Sequence, residues 1–319
     1  MIAIWILVLV AGAGLIVWGA EAFAKHLGAA SVQLGVSTFA LALLLAGAEP
    51  EELATVVVAS LQGSPGIAFG DVIGANVAIC LVALGVGACI SPLPFRSAVM
   101  RYALLGIPLG AIAAWVAWNG NVGRAEGALL VALYVIYVGT IWLIERRPPM
   151  LGEVHELQEV QEAVARGERT RRRVGRELAL VLAGVAAMAL GASLLVEAVQ
   201  RITQVESMQT VLGLTVVGFA TAFELVVLAW SAARHGASEA VVAGVVGSYA
   251  YNVTMTLGAG ALAQPLVIMD PTRLHGPWLA MLAALCLVVL LAAPKARLGR
   301  AAGVVLLVAY PIFIAAVLL

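Results

Sequence analysis

The stretch Gly63-Ser-Pro-Gly-Ile-Ala-Phe-Gly70-Asp-Val-Ile-Gly74-Ala-Asn76 returns in altered form as Gly236-Ala-Ser-Glu-Ala-Val-Val-Ala-Gly244-Val-Val-Gly247-Ser-Tyr249. Each copy follows an apolar run that carries an acid and a leucine, Glu52-Leu53 in the first and Glu224-Leu225 in the second. Each continues into Leu84-Gly85 or Leu257-Gly258, then Ser91-Pro92-Leu93 or Gln264-Pro265-Leu266. Trp18-Gly19-Ala20 and Leu190-Gly191-Ala192 open the two halves. Self-similarity on this scale means one structural unit used twice.

The units are strongly apolar. Of 319 residues, 63% are hydrophobic and 11% charged, and the mean hydropathy is +1.05; a soluble domain is about 25% charged. This composition excludes a soluble enzyme, a disordered chain and a secreted disulfide scaffold. At about 20 apolar residues per membrane-spanning helix, ten segments fit: 2–23, 36–61, 67–90, 98–118, 125–144, 178–199, 211–233, 237–262, 277–292 and 301–318. A hydrophilic stretch, 145–177, separates the fifth from the sixth. The organisation expected is a first repeat over 1–145, a loop over 146–176 and a second repeat over 177–319. The fold class expected is an all-α integral membrane protein, ten transmembrane helices arranged as two inverted-topology five-helix repeats. The segment 1–19 lacks a basic leader and reads as the first span, not a removed signal peptide. Cys80, Cys89 and Cys286 lie in apolar runs without CxxC or Cys/His spacing and read as free thiols packed as small hydrophobes.

Eighteen Lys and Arg balance eighteen Asp and Glu, so net charge points to no nucleic-acid partner. Their distribution is informative. Arg146, Arg147, Arg166, Arg169, Arg171, Arg172, Arg173 and Arg176 crowd the central loop, and Lys25, Arg96, Arg101, Arg234, Lys295, Arg297 and Arg300 fall on the same side. Arg124, Arg201 and Arg273 fall on the other. Basic residues accumulate on the cytoplasmic side, which puts the central loop inside and both termini outside. An odd number of spans in each half then gives the halves opposite orientations. Within the loop, Val154, Leu157, Val160 and Val164 recur at helical spacing among Glu153, Glu156, Glu159 and Glu162. This is a short amphipathic helix on the anionic leaflet or a solvated linker whose arginines serve topology.

Several acids lie inside the predicted spans, where an ionised group costs several kcal/mol unless paired or wetted. Glu49, Glu51 and Glu52 cluster in the second span, Asp71 opens the third, and Glu224 sits in the middle of the seventh. Glu49 and Glu52 are expected to share a helix face, with Glu51 turned about 100° away. Asp71 has a structural account as a helix N-terminal residue facing the dipole. For Glu49 and Glu51 a gating role at the cavity lip competes with direct ligation. Few cations lie at this depth; the nearest in sequence, Arg101 and Lys25, read as interfacial. The acids must therefore be protonated, hydrated or neutralised by a bound cation. Ser248 and Asn252, spaced i,i+4 on the eighth span, add neutral oxygens. Such an oxygen-rich shell suits Ca²⁺ or Na⁺ over a soft metal.

These residues resemble the calcium/cation antiporter superfamily, the sodium/calcium exchangers and their prokaryotic relatives. Its repeats read roughly Gly-Thr-Ser-x-Pro-Glu-Leu, then a helix, then Gly-Asn-x-x-Gly-Ser-Asn. Here the first copy reads Gly47-Ala-Glu-Pro-Glu-Glu52-Leu53-Ala-Thr55 and Gly70-Asp-Val-Ile-Gly74-Ala-Asn76. The second reads Phe219-Ala-Thr-Ala-Phe-Glu224-Leu225 and Ala243-Gly-Val-Val-Gly247-Ser248-Tyr249. The resemblance implies that Glu52 and Glu224 are the cation-binding acids, that Ser248 and Asn252 are ligands of the second repeat, and that Thr221 supplies a hydroxyl before the second acid. Ala48, Glu49, Ala75 and Ile79 replace polar positions of the first copy, and Ala220 and Phe223 replace positions of the second. Pro50 stands one place early, so Glu51 competes with Glu52 for the acid position, although Glu52-Leu-Ala-Thr aligns without gaps. Glu49 and Asp71 add carboxylates where the family has neutral ligands. Closely spaced carboxylates resist ionising together, which favours H⁺ as the coupling ion, with Na⁺ the alternative.

The expected function is secondary active antiport of Ca²⁺ or a related cation against Na⁺ or H⁺, by alternating access at a carboxylate site between the repeats. The first and sixth helices, rich in Gly12, Gly14, Gly19, Gly184 and Gly191, would slide across the other eight, although small residues also serve ordinary packing. No resident cofactor is expected; the partners are metal cations and the bilayer, the location is a prokaryotic inner (plasma) membrane, and the oligomeric state is open. Two other readings stand beside it. One is a cation-binding sensor or degenerate exchanger without flux; the other is an organic-solute carrier of similar design, for which Phe219, Phe223, Tyr249 and Tyr251 are the aromatic candidates. No HExxH, paired Asp or Ser/His arrangement suggests an enzyme, and His26, His155, His235 and His275 are expected in loops or at helix ends.

Overall fold

A computed structural model describes residues 2–33, 49–145, 174–235 and 238–319 of the chain. The predicted amphipathic helix at 154–164, most of the central loop, and the span segment 36–48 with its Gly47-Ala48 lie outside them.

The described chain is almost wholly helical. The first half contains α1 (Ile2–Gln33), α2 (Pro50–Leu61), α3 (Pro65–Ala78), α4 (Leu84–Ile90), α5 (Ser97–Val116) and α6 (Arg124–Glu145). The second contains α7 (Val174–Ile202), α8 (Glu206–Leu212), α9 (Gly218–His235), α10 (Ser238–Tyr251), α11 (Leu257–Ala263), α12 (Thr272–Ala292) and α13 (Arg300–Leu318). Three π turns, Ile79–Ala83, Gly213–Val217 and Asn252–Thr256, join α3 to α4, α8 to α9 and α10 to α11 without ending the helical path. Eight helical paths among the described residues are long and apolar enough to cross a bilayer. Large apolar side chains point outward, among them Leu7, Trp115, Leu143, Leu290 and Ile312. A continuous apolar exterior belongs against lipid, where only closed hydrogen-bonded helices are tolerated. The protein is an integral membrane protein.

At the centre stands α3, buried on every side from Gly66 to Ala78. Gly66, Gly70 and Gly74 recur every four residues and so form one face. That face admits the backbone of the second half: a methyl on Gly70 would lie 2.7 Å from Gly213 Cα, and one on Gly74 would lie 2.3 Å from the Leu214 carbonyl oxygen. The α1 and α7 helices form a second close pair, Gly12 against Gly191 and Gly19 against Gly184.

The halves are interleaved. Strand β1 (Leu93–Pro94) pairs antiparallel with β4 (Arg297–Leu298), and β2 (Asn121–Val122) pairs antiparallel with β3 (Leu266–Val267). Each ribbon takes one strand from each half. In the same exchanged way, α4 packs on α13 through Gly85 and Gly303, while α11 packs on α6 through Gly258 and Gly127.

Several sequence expectations are corrected. The first span runs on to Gln33, so His26 lies inside α1, where its Nδ1 is 2.7 Å from the buried Glu177 of α7. Asp71 does not open the third span. Pro65, with its preset φ and missing N–H, starts that helix, and Asp71 falls in the second turn, beyond the unpaired N–H groups on which the dipole account depends. Glu49 does not share a helix face with Glu52: it precedes Pro50 with φ −110° and ψ 83°, outside the first turn of α2.

Candidate functional site

The acids of the two halves meet beside the central helix. Pro50 starts α2 and thereby places Glu49, Glu51 and Glu52 together at its N-terminal end; all three are buried. Asp71 on α3 and Thr221 on α9 are buried too, and the Thr221 hydroxyl donates to Asp71 Oδ1 at 2.8 Å. On α10, the Ser248 hydroxyl donates to Glu49 Oε1. Both bonds cross from one half to the other. Glu49 and Thr221 each stand three residues before the motif acid, Glu52 or Glu224, so equivalent positions reach across in opposite directions.

A third crossing pair lies beneath. Asn252, the first residue of a π turn, donates from Nδ2 to Asn76 Oδ1 at 3.5 Å, and its own Oδ1 accepts from the Thr256 hydroxyl at 3.5 Å. A π turn widens the helix and redirects its side chains, a device common at functional positions. The Asn76 Nδ2 donates to the thioether of Met281, 3.8 Å away. Long bonds of this kind leave amide groups with donor and acceptor capacity to spare. Asn76 appears in the sequence motif, but its role at the centre was missed. Its signal is the amide that ends Gly74-Ala75-Asn76, set against Asn252 in the other repeat.

Glu52 is within electrostatic reach of Asp71 and Glu51. Glu51 is within electrostatic reach of Glu49 and Glu224, so both rivals for the first acid position belong to the same charged region. Glu224, on α9, is part-exposed, yet its Oε2 is buried. Buried carboxylate oxygens without a hydrogen-bond partner among the described residues include Glu51 Oε2, both oxygens of Glu52, Asp71 Oδ2 and Glu224 Oε2. Among the described residues no Lys or Arg is buried with them. Buried charge without a counter-ion is costly, and a carboxylate oxygen left unpaired adds to that cost. Chemically, the arrangement offers hard, anionic oxygens and neutral hydroxyl and amide oxygens from both halves. No three His, Cys, Asp or Glu among the described residues form a ready-made metal cluster, so a cation held here would draw on neutral donors such as the Thr221 and Ser248 hydroxyls as well as on carboxylates. The structure thus brings together Glu49, Glu51, Glu52, Glu224, Asp71, Thr221, Ser248 and Asn252.

Of the aromatic residues of the solute-carrier reading, Phe223 is 48% exposed on the outer surface and Tyr249 is fully buried against Gly110 of α5. Tyr251, edge-on to Tyr134, is the one within electrostatic reach of Glu49, Glu51 and Glu52.

Comparison with known proteins agrees with this architecture. The chain is 25% identical over 305 residues to an uncharacterized membrane protein of Methanocaldococcus jannaschii, covering 95% of this chain and 92% of the other. It is 26% identical over 345 residues to the sodium/calcium exchanger MaX1 of Methanosarcina acetivorans, covering 98% of each. Solved structures of the sodium-calcium exchanger NCX_Mj share its fold, with a TM-score of 0.63 at 22% identity over 99% of both chains. The sequence model of the family described as sodium/calcium exchanger protein matches residues 4–143 and 177–319. With its interleaved halves, apolar exterior and buried acids, the chain belongs to the sodium/calcium exchanger family.

Proposed function

We propose that the protein exchanges Ca²⁺, or a related hard cation, for Na⁺ or H⁺ at the carboxylate cluster between its two halves. Membership of the family makes it a cation antiporter and not an enzyme. The reading of the site rests on one observation above all: five acids, Glu49, Glu51, Glu52, Asp71 and Glu224, gather within the membrane-spanning body without a buried Lys or Arg among the described residues. Such a cluster is disfavoured when empty, which is what exchange requires, because an antiporter must not switch unloaded.

In this reading, Glu52 and Glu224 hold the cargo with Thr221, Ser248 and Asn252, while Glu49 and Asp71 supply further carboxylates; Asn76 joins them. Residues 1–145 and 177–319 act as inverted five-helix repeats joined by the loop 146–176, which lies in the cytoplasm with the termini outside. The exchanged pairing β1 with β4 and β2 with β3 supports this, since two inverted copies of one unit would trade equivalent strands. The α1 and α7 helices slide together across the remaining helices, exposing the cluster to each side in turn. No resident cofactor takes part.

The test is radiolabelled Ca²⁺ flux in proteoliposomes under imposed Na⁺ or H⁺ gradients. Wild type accumulates Ca²⁺ against one of them, and Glu52→Gln or Glu224→Gln abolishes uptake while still inserting. Full activity in both variants overturns the site; calorimetric binding without flux in wild type makes the protein a sensor.

A further inference from the structure

At the C-terminal end of α7, a cleft of about 900 Å³ opens between that helix, the α2–α3 corner and α8. Unlike the exterior around it, its lining is polar, with Ser64, Ser193, Glu197, Gln200, Glu206 and Gln209 among the residues. The lining reaches no further along α3 than Pro65 and no further back along α7 than Ser193. Glu52 lies nine residues before the end of α2, about 14 Å below the corner at 1.5 Å per residue, and is buried. The cleft and the acids are therefore separated.

One side chain bridges the cleft. Gln200, in the last turn of α7, donates from Nε2 to the Ser64 hydroxyl at 2.7 Å and lies 3.4 Å from the Gln62 carbonyl oxygen. Ser64 is buried and immediately precedes Pro65, so it is fixed to the start of α3; its hydroxyl makes no capping bond to that helix. The amide thus ties a helix that the antiport reading sets in motion to the corner of the helices that carry Glu51, Glu52 and Asp71.

We propose that Gln200 is a positioning residue for exchange: its bond to Ser64 holds α7 against the α2–α3 corner and keeps the acids closed to the cleft. This rests on the antiport reading for its consequence but not for its geometry. A shift of α7 along its axis by one turn, about 5.4 Å, removes the bond, so the tie belongs to one of the two access states. A bond present in only one state biases the equilibrium between them. Losing it moves apparent affinity in opposite directions on the two faces, whereas general damage to the fold lowers transport from both.

The experiment uses the full chain with Cys80, Cys89 and Cys286 replaced by alanine and a reporter at Val196→Cys, a buried position one turn before Gln200 and outside the cleft lining, labelled by a membrane-impermeant maleimide added from the cleft side. Gln200→Ala accelerates labelling about three- to tenfold, the range for one neutral hydrogen bond. Ser64→Ala has the same effect, and the double variant adds nothing further. Gln200→Met, which keeps the length without the amide, replaces the alanine variant if that fails to fold. In proteoliposomes, the half-saturating cation concentration falls on the cleft side and rises on the other. Unchanged labelling, or additive effects of the two variants, overturns the tie. Accelerated labelling in a wild-type background that exchanges no cation leaves the tie standing and removes the antiport reading.

Discussion

Thr221 and Asp71 stand 150 residues apart, one in each half of the chain, and the threonine hydroxyl donates to Asp71 Oδ1 at 2.8 Å with both side chains buried. The second oxygen, Oδ2, has no hydrogen-bond partner among the described residues. Thr221→Val keeps the shape and leaves both oxygens bare. An unsatisfied buried acceptor costs about 1–3 kcal/mol, more when charged. The expected outcome is a lower unfolding midpoint in detergent, restored by Thr221→Ser. An unchanged midpoint in the valine variant would mean that the two halves are not joined at this point.

Cation binding is expected to stabilise the folded protein by linkage, about 2.7 kcal/mol at a concentration one hundred times the dissociation constant. The added cation relieves the repulsion among Glu51, Glu52 and their neighbours. Glu52→Gln removes one buried charge whose two oxygens lack hydrogen-bond partners among the described residues, so in chelator it should melt higher than wild type. It should also lose the Ca²⁺-dependent rise. Thermal unfolding with and without Ca²⁺ measures both, and a variant that melts lower in chelator and still responds to Ca²⁺ rules out Glu52 as a ligand.

How far the sequence could be read divides along a physical line. Features carried by local pattern were legible: the apolar membrane-crossing helices and the glycine faces through which the first and sixth spans meet. The candidates Thr221, Ser248 and Asn252 came from motif resemblance, and in the structure they bond to Asp71, Glu49 and Asn76 respectively. Features set by closure of the fold were not legible. Leu93 faces Leu298 in a ribbon drawn from both halves, and two residues per strand leave no periodic signal. The helix start at Pro65 puts Asp71 in the second turn and not at the N-terminus, and the preceding Gly70 serves close approach to Gly213. Asn76 was overlooked because its partner Asn252 sits at a π turn, an irregularity invisible to a 3.6-residue period.

The exchanged packing predicts equal costs at equivalent positions. A methyl group on Gly127 would meet the Gly258 carbonyl oxygen at 2.8 Å, and one on Gly303 would meet the Gly85 carbonyl oxygen at 2.7 Å. Each neighbour is backbone, which cannot swing aside. Gly127→Ala and Gly303→Ala should therefore destabilise alike, by about 1–3 kcal/mol, the usual cost of overpacking. Denaturation midpoints differing widely between the two would show that the halves are not built on one plan.

The α1–α7 contact gives a sharper contrast, since it sets two glycines of one helix against each other. A methyl on Gly12 would sit 2.7 Å from the Gly191 carbonyl oxygen, whereas one on Gly14, two residues on, meets nothing within 4 Å. Gly14→Ala should leave folding and flux close to wild type, or stabilise slightly through helix propensity. Gly12→Ala must push α7 away. If the pair slides as a unit, its Ca²⁺ flux should fall severalfold while the carboxylate site still binds, as read by the Ca²⁺-dependent melting shift. Flux and binding lost together would assign the glycine contact to assembly of the fold, and flux kept in full would mean that α1 and α7 need not stay in register during exchange.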